Sequence, residues 1–439
     1  RLVSARPALP LEPSLPARTL VPWTGAFLAA CTVAAGLGLT ASGVDLGTPL
    51  APFLASWAPH AGPYALVAAL ALVVAVLVGP RLLSEELHPA AFAASLLGLG
   101  LALRLALGMA REGPPGLWAV YAEPNVEAAN EYLPTLPALD FGLRFFLDTF
   151  AEVGPSLTVN SVGHPPGLLS VLHLLGIESA QGMAALTIGV GVLSVPLTYA
   201  LGRSLLDERP ARLAALLYVL APSAVLFGAT SADALYATLG LLVALGLLAL
   251  RGRLRVLGAA AFAAASFFSW ANLGLGALAA VVTARREGRR AALALAFGCA
   301  AALVVGYALL HLATGYDPLG ALGAAETVYH EGIASTRPYA FWAFGSGVAF
   351  LVTLGLPTAW LALRALGERD AVALGLFSVL LCAAVLGFTK AETERIYLFL
   401  VPFACLAAAR FLPSRALPAV LAALAVQALA SELLLSTIW

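Results

Sequence analysis

The chain has 439 residues, of which 61% are hydrophobic and 11% charged, with a mean hydropathy of +0.92, whereas a soluble domain carries roughly 25% charged residues. That leaves too little polar surface to cover a soluble particle, and a formal net charge of zero offers no bulk field toward nucleic acid. Cys31, Cys299, Cys382 and Cys405 lie in apolar stretches, far apart and without metal-ligand spacing, and read as small core residues.

In chain order, a Pro-rich stretch over 1–16 with Arg1, Arg6 and Arg18 precedes the first apolar run, which reads as a retained span because many others follow it. Apolar runs long enough for a bilayer fall at 20–42, 62–79, 90–109, 181–202, 211–228, 232–250, 291–314, 340–363, 371–389, 396–411 and 416–437. The stretch 256–284 is flanked by Arg251, Arg253 and Arg255 before it and by Arg285, Arg286, Arg289 and Arg290 after it. Both ends therefore fall on the cytoplasmic side, and the stretch is expected to be two short helices folded at Ser269–Gly274. The expected fold is an all-α polytopic membrane protein, one transmembrane domain over 1–439 with about thirteen helices.

With the N-terminus inside, Arg81, Arg203, Arg209, Arg212, Arg364, Arg369, Arg410 and Arg415 also fall on the cytoplasmic side. Residues 110–180, 229–232, 315–339 and 390–395 then face the other way, where the acids and most histidines collect. In the long loop 110–180, Leu139, Leu143, Phe146, Leu147 and Phe150 recur at helical spacing, while Asp140, Arg144, Asp148 and Glu152 form an i,i+4 series. That pattern predicts an interfacial amphipathic helix over 138–153, its charges a solvated face. Pro165–Leu175 is apolar but too short to span and is expected to be re-entrant or to lie along the membrane.

Chemistry is sought on that outer face. His164-Pro165-Pro166-Gly167-Leu168-Leu169 is followed by Gly176, by Tyr199-Ala200-Leu201-Gly202-Arg203, by Pro222 and by Asp233-Ala234-Leu235. The run resembles the core of the GT-C glycosyltransferases, particularly the protein O-mannosyltransferases and lipid A aminoarabinose transferases, with Ser231-Ala232 in place of the proline that precedes the second motif. Lys390-Ala391-Glu392-Thr393-Glu394-Arg395-Ile396-Tyr397-Leu398, with Pro402 beyond, is similar to the His-Lys-Glu-x-Arg-Phe-x-x-Pro loop of the dolichol-linked mannosyltransferases, without the leading His. Four charged side chains between two apolar spans are costly unless they sit at an interface or a polar cavity. They read either as an ordinary loop holding an Arg–Glu pair or as a phosphate site, with Arg395 a bidentate fork and Lys390, the only lysine in the chain, a point charge.

The resemblance implies a sugar donor carried on a polyprenyl phosphate, membrane lipids as surroundings, and an acceptor that is a lipid, a cell-wall glycan or a protein. It implies no nucleotide site, and no Rossmann fingerprint is present. Transfer to an acceptor hydroxyl needs a carboxylate base and cations on the departing phosphate. In these families the acid lies in the first outer loop, in an Asp-Glu pair followed by Tyr; the nearest analogue is Asn130-Glu131-Tyr132, with Glu123 and Glu127 upstream. Glu131, Glu123 and Asp140 are the candidate bases, against the alternative that each only keeps the loop solvated. His164 either orients a substrate hydroxyl or caps the helix beginning at Pro165, and Asp233 either holds a substrate hydroxyl or caps its own helix. Tyr132, Glu392, Glu394 and His330 are further substrate-binding candidates, and Tyr329, Glu331 and Arg337 line the second outer loop. No cofactor is required, and no spacing demands a metal, although the loop acids leave a divalent cation open.

The expected function is glycosyl transfer at the non-cytoplasmic face, periplasmic or extracellular, of a plasma-membrane protein. A transporter or lipid flippase is the alternative; it calls for two related halves and charges at membrane depth, of which Arg104 is the main candidate. A non-catalytic scaffold is the third reading, and it leaves the acids of the outer loop without a role.

Overall fold

The computed structural model describes residues 15–84 and 86–439, with side chains described from residue 19 onward except at 85 and 333. Arg1, Arg6, most of the Pro-rich stretch and the Arg18 side chain lie outside the described residues. In chain order the elements are α1 (Leu15–Ala41), β1 (Ala55–Trp57), α2 (Ala65–Leu82), α3 (Pro89–Gly108), α4 (Leu143–Val153), α5 (Val159–Gly163), α6 (Gly167–Leu175), α7 (Ala180–Gly191), α8 (Ser194–Leu205), α9 (Glu208–Leu220), α10 (Pro222–Thr230) and α11 (Asp233–Leu248). They continue as α12 (Arg255–Ser266), α13 (Gly274–Arg286), α14 (Arg289–Thr314), α15 (Pro318–Glu331), α16 (Tyr339–Thr353), α17 (Leu356–Gly367), α18 (Ala371–Leu386), α19 (Thr393–Ile396), α20 (Val401–Ala409), α21 (Leu417–Leu434) and β2 (Leu435–Thr437).

The chain is an all-α membrane protein. Among the described residues, six helical stretches are long and apolar enough to cross a bilayer: Thr19–Ala41, Ala65–Leu82, Pro89–Gly108, Ala180–Leu205, Arg289–Thr314 and Ser414–Leu434. Two bent pairs raise the number to eight. α11 and α18 are 16 residues each, shorter than the ~20 residues of a typical crossing. Length and composition thus account for six to eight spans, where the sequence leads one to expect about thirteen.

The bends have local causes. α9 and α10 meet at 58°, where Pro222 opens α10 and lacks the N–H that would continue the ladder of α9. The run 340–363, expected as one span, is instead α16 and α17 at 116° to each other. Gly355 at φ +103 supplies a backbone conformation other residues resist, and Pro357 follows in the first turn of α17. Hydropathy runs unbroken across this corner and does not register it. The stretch 256–284 does fold back on itself, as α12 and α13 joined by a turn over Trp270–Leu273.

Helix ends sort into two groups. At one end Arg203 and Arg212 pair with Glu208, Arg255 with Glu287 and Arg410 with Asp370, and Arg212 also reaches the Ser84 and Leu87 carbonyls. At the other, the 42–64 connection, the loop 110–163, α6, the α12–α13 turn, α15 and the 387–395 loop pack together. Leu54 N–H donates to Glu394, Trp342 Nε1 donates to the Leu46 carbonyl, and Gly167 N–H donates to the Phe267 carbonyl. A large core runs through the bundle, and a second, smaller one lies under the acidic end.

That second core corrects the reading of 138–153. Pro137 and Gly142, at φ +104, delay the α-helix until Leu143, leaving Asp140 in a preceding 3-10 segment. Phe146, Leu147 and Phe150 are buried against Tyr316 and Leu168 rather than turned to lipid. No ion pair links Asp140, Arg144, Asp148 and Glu152 among the described residues. α6 is likewise buried along Gly167–Ser170 and Leu172, with Leu174 and Leu175 exposed.

Candidate functional site

Pro114, Pro115, Pro124, Pro134 and Pro137 deny the outer loop a continuous α-helix, and it folds as short 3-10 turns. In one of them Asn125 accepts from Glu127 N–H at 2.9 Å, which turns Glu127 inward. Asn130 Nδ2 donates to Glu127 Oε2 at 3.0 Å. On α5, Asn160 anchors its own backbone to the Asn130 carbonyl at 2.9 Å and spreads its amide between two acids, 3.0 Å from Glu131 Oε1 and 3.3 Å from Glu127 Oε1. Glu131 is 2% exposed, and its Oε2 is buried without a partner.

Two carboxylates close together in a dry place resist ionisation, and the amide donors that tie them only partly offset this. Glu131 is pushed up to about 8: burial is the main cause, Arg395 opposes it, Glu127 and Asp233 add to it, and the nearby Trp439 indole opposes it. Glu127 is also raised, mainly by burial, with the Asn130 hydrogen bond opposing.

The cation comes from the other end of the chain. Arg395, 6% exposed, donates from Nη1 to Asp233 Oδ2 at 2.7 Å and from Nη2 to Glu392 Oε2 at 2.7 Å. Its guanidinium carbon lies 3.9 Å from the centre of the Trp439 ring, and its Nε is buried and unpaired. Glu392 in turn accepts from Arg337 Nη1 at 2.8 Å, and Arg337 also binds the Lys390 carbonyl. The outcome is a chain, Asp233–Arg395–Glu392–Arg337, lying in the field of Glu131 and Glu127. Ala391 and Glu392 both have positive φ, +67 and +61; neither is glycine, so the backbone is strained where it presents Glu392.

The structure therefore brings together Glu131, Tyr132, His164, Asp233, Glu392 and Arg395. Asp233 does not cap α11; its carboxylate takes Ser231 Oγ at 2.7 Å and Arg395. His164 does not cap α6. Its buried ring lies 5.0 Å from Tyr236 and 6.2 Å from Tyr132, whose hydroxyls bond each other at 2.8 Å. Burial pushes His164 down to about 4, with Asp233 opposing, so the imidazole is neutral, and its Nδ1 is unpaired.

Other candidates fall outside this constellation. Glu123, Asp140 and His330 are exposed. Lys390 turns its ammonium to the Ala334 carbonyl at 3.3 Å. Glu394 is buried, but its Oε1 accepts from Leu54 N–H at 2.7 Å, making it a tether to the 42–64 connection. Burial pushes it up to about 7. The fork of Arg395 is not free for a ligand, because Asp233 and Glu392 occupy it. Asn160, Tyr236 and Trp439 escaped the sequence reading: each is neutral and earns its place only through long-range contacts. Among the described residues no group of three or more His, Cys, Asp or Glu side chains is arranged to hold a metal ion. A cavity of about 340 Å³ lies at the arginine-rich end, lined by Ser204, Asp207, Arg286 and Arg410 among others, and shares no residue with the acidic cluster.

Arg104, the one candidate for charge at depth, is 2% exposed and bonds the Ala224 carbonyl at 3.2 Å and Ser194 Oγ at 3.3 Å. Among the described residues no carboxylate pairs with it.

Comparison of the chain with protein-family models, with curated proteins and with solved structures finds no match.

Proposed function

We propose that the chain is a membrane glycosyltransferase of the GT-C kind, moving a sugar from a polyprenyl-phosphate donor to an acceptor hydroxyl on the non-cytoplasmic side. The observation that carries this reading is Glu131: a buried carboxylate with one oxygen unpaired, held up to about 8, beside an arginine-centred ion chain at the acidic end of the bundle. A base is most effective when its proton affinity lies near the working pH. In the step proposed, the acceptor oxygen bonds to the anomeric carbon as the bond from that carbon to the phosphate oxygen breaks. The acceptor proton passes to Glu131 Oε2, and the electron pair leaves with the phosphate.

The departing phosphate needs cations, and Arg395, which acts on the base, already grips Glu392 together with Arg337. We infer that the phosphate takes the position of the Glu392 carboxylate between Arg337 and Arg395, an exchange favoured by relief of the positive-φ backbone at Ala391 and Glu392. The neutral His164 and the Tyr132–Tyr236 pair offer hydrogen bonds to sugar or acceptor hydroxyls. Of the remaining parts of the reading, the GT-C fold rests on the resemblance of the His164-Pro165-Pro166 and Lys390–Pro402 segments, the count of about thirteen helices on the apolar runs, and an acidic end that faces away from the cytoplasm on the arginine distribution.

A flippase or transporter is the second reading. It is favoured by the bent pairs α9–α10 and α16–α17 and by Arg104, buried with no carboxylate partner near the α7–α8 junction. Purified protein in detergent, incubated with radiolabelled polyprenyl-phosphate sugars, separates the two. Release or transfer of the sugar supports the glycosyltransferase. Lipid movement in vesicles without bond cleavage supports the flippase.

A further inference from the structure

Among the described residues, the polar atoms buried without partners around the ion chain include Glu131 Oε2, His164 Nδ1, Arg337 Nε, Arg395 Nε and Trp439 Nε1. The last arrives by a deliberate route. β2 pairs antiparallel with β1, Ala55 opposite Thr437 and Trp57 opposite Leu435. Arg111 then fastens the pair from the side, donating to the Glu432, Leu435 and Ala58 carbonyls at 2.9, 3.1 and 2.9 Å. Asn125, whose side chain also turns Glu127 inward, reaches the Ile438 carbonyl at 3.5 Å. The result is the Trp439 ring lying on the Arg395 guanidinium, 3.9 Å from centre to carbon, and packed at the margin of the second core.

An apolar plug would account for the ring but not for the rest. The indole face is the electron-rich surface that a guanidinium prefers, and the contact strengthens when both are dry. Arg395 commits both Nη groups to Asp233 and Glu392, bonds that lie in the guanidinium plane, and the ring covers a face that they leave open. The indole N–H is buried without a partner, a costly arrangement for a mere filler, and it lies near enough to Glu131 to favour the charged carboxylate without completing a hydrogen bond.

We propose that Trp439 is a positioning residue of this site: its ring face fixes the Arg395 guanidinium and its N–H approaches Glu131, so that the segment 435–439 completes the cation and the carboxylate together. The functional weight of this inference rests on the reading of Glu131 as the base, but its geometry does not, and it can be tested without substrate. The groups facing Glu131 are Glu127, Tyr121 and Tyr132 from its own loop, Asn160 from α5, Asp233 and Tyr236 from α11, Arg395 from α19, and Trp439. Trp439 offers an N–H that has no other partner and that phenylalanine would delete while keeping an aromatic ring.

The experiment is an infrared titration of the full chain in detergent, with the Glu131 carboxyl band identified by its loss in Glu131→Gln. In Trp439→Phe the titration midpoint should rise by about one pH unit, because the nearby N–H that favours the charged form has gone. Arg111→Gln, which loosens the segment without touching the site, should move it in the same direction by less and serves as the arm if Trp439→Phe does not fold. A midpoint unchanged or lowered in the folded variant overturns the inference. Were the midpoint to rise while no polyprenyl-phosphate sugar is cleaved by the parent protein, the positioning role would stand and the glycosyltransferase reading would fall.

Discussion

Arg395→Ala strands a charge, and the structure says which one. Glu392 keeps Arg337 as a partner at 2.8 Å. Asp233 keeps only Ser231 Oγ, with its side chain 5% exposed. Removing one member of a buried ion pair costs about 3–5 kcal/mol, and loss of the stack on Trp439 adds roughly 0.5–2 kcal/mol. Arg395→Ala should therefore destabilise by about 3.5–7 kcal/mol, while Arg395→Ala with Asp233→Ala should recover about 1–3 kcal/mol of it because no unpaired carboxylate remains. Equilibrium unfolding in mixed SDS micelles, followed by circular dichroism, reads both. If the double variant is less stable than the single by the full cost of Asp233→Ala alone, the two residues are uncoupled and the ion chain as described is wrong.

The protonation of Glu131 has a stability signature of its own. Its affinity for a proton is raised from 4.5 to about 8 on folding, so the stability it contributes is complete below about pH 4.5 and is lost as pH climbs through 8. The melting temperature of Glu131→Gln should accordingly gain on the parent between pH 5 and pH 9, and a gap that does not change with pH would refute the assignment. Glu392→Gln frees Arg337 and Arg395 from a competing carboxylate and should tighten binding of a polyprenyl phosphate by about tenfold; weaker binding would contradict the exchange. For topology, Ser161 and Thr393 are too buried to report. Cysteines placed at Glu123 and Glu331, both exposed, on a background without Cys31 and Cys382, should label from outside intact cells, and a cysteine at exposed Arg285 should not. Any other pattern breaks the assignment of sides.

Much of the helical frame is legible in the sequence because a bilayer demands long apolar runs, and α2, α3, α14 and α21 answer to nothing else. The corner at Gly355 is written in a Gly and a Pro, yet hydropathy averages over it. The acids of the outer loop stand out because charge beside a membrane is costly, and Asn130-Glu131-Tyr132 does sit at the cluster. Which charges meet is another matter. The lone lysine turns its ammonium to the 332–337 turn, and the cations on Glu392 are Arg395, three residues on, and Arg337, an arginine 55 residues away. Asn160 joins Glu131 from 29 residues away, and Trp439 joins Arg395 from 44. Neutral side chains whose value lies in a distant partner leave no periodicity and no charge pattern to read.

The most direct measurement of the central claim is single-turnover sugar release from a radiolabelled polyprenyl-phosphate donor across pH 6 to 9, comparing the parent chain with Glu131→Gln, Glu123→Gln and Asp140→Asn. The rate of the parent should rise with pH toward a plateau above about 8, as Glu131 ionises. Glu131→Gln should fall by roughly 10²-fold or more, with the two exposed acids dispensable. Full activity in folded Glu131→Gln, or loss in Glu123→Gln instead, would contradict the account.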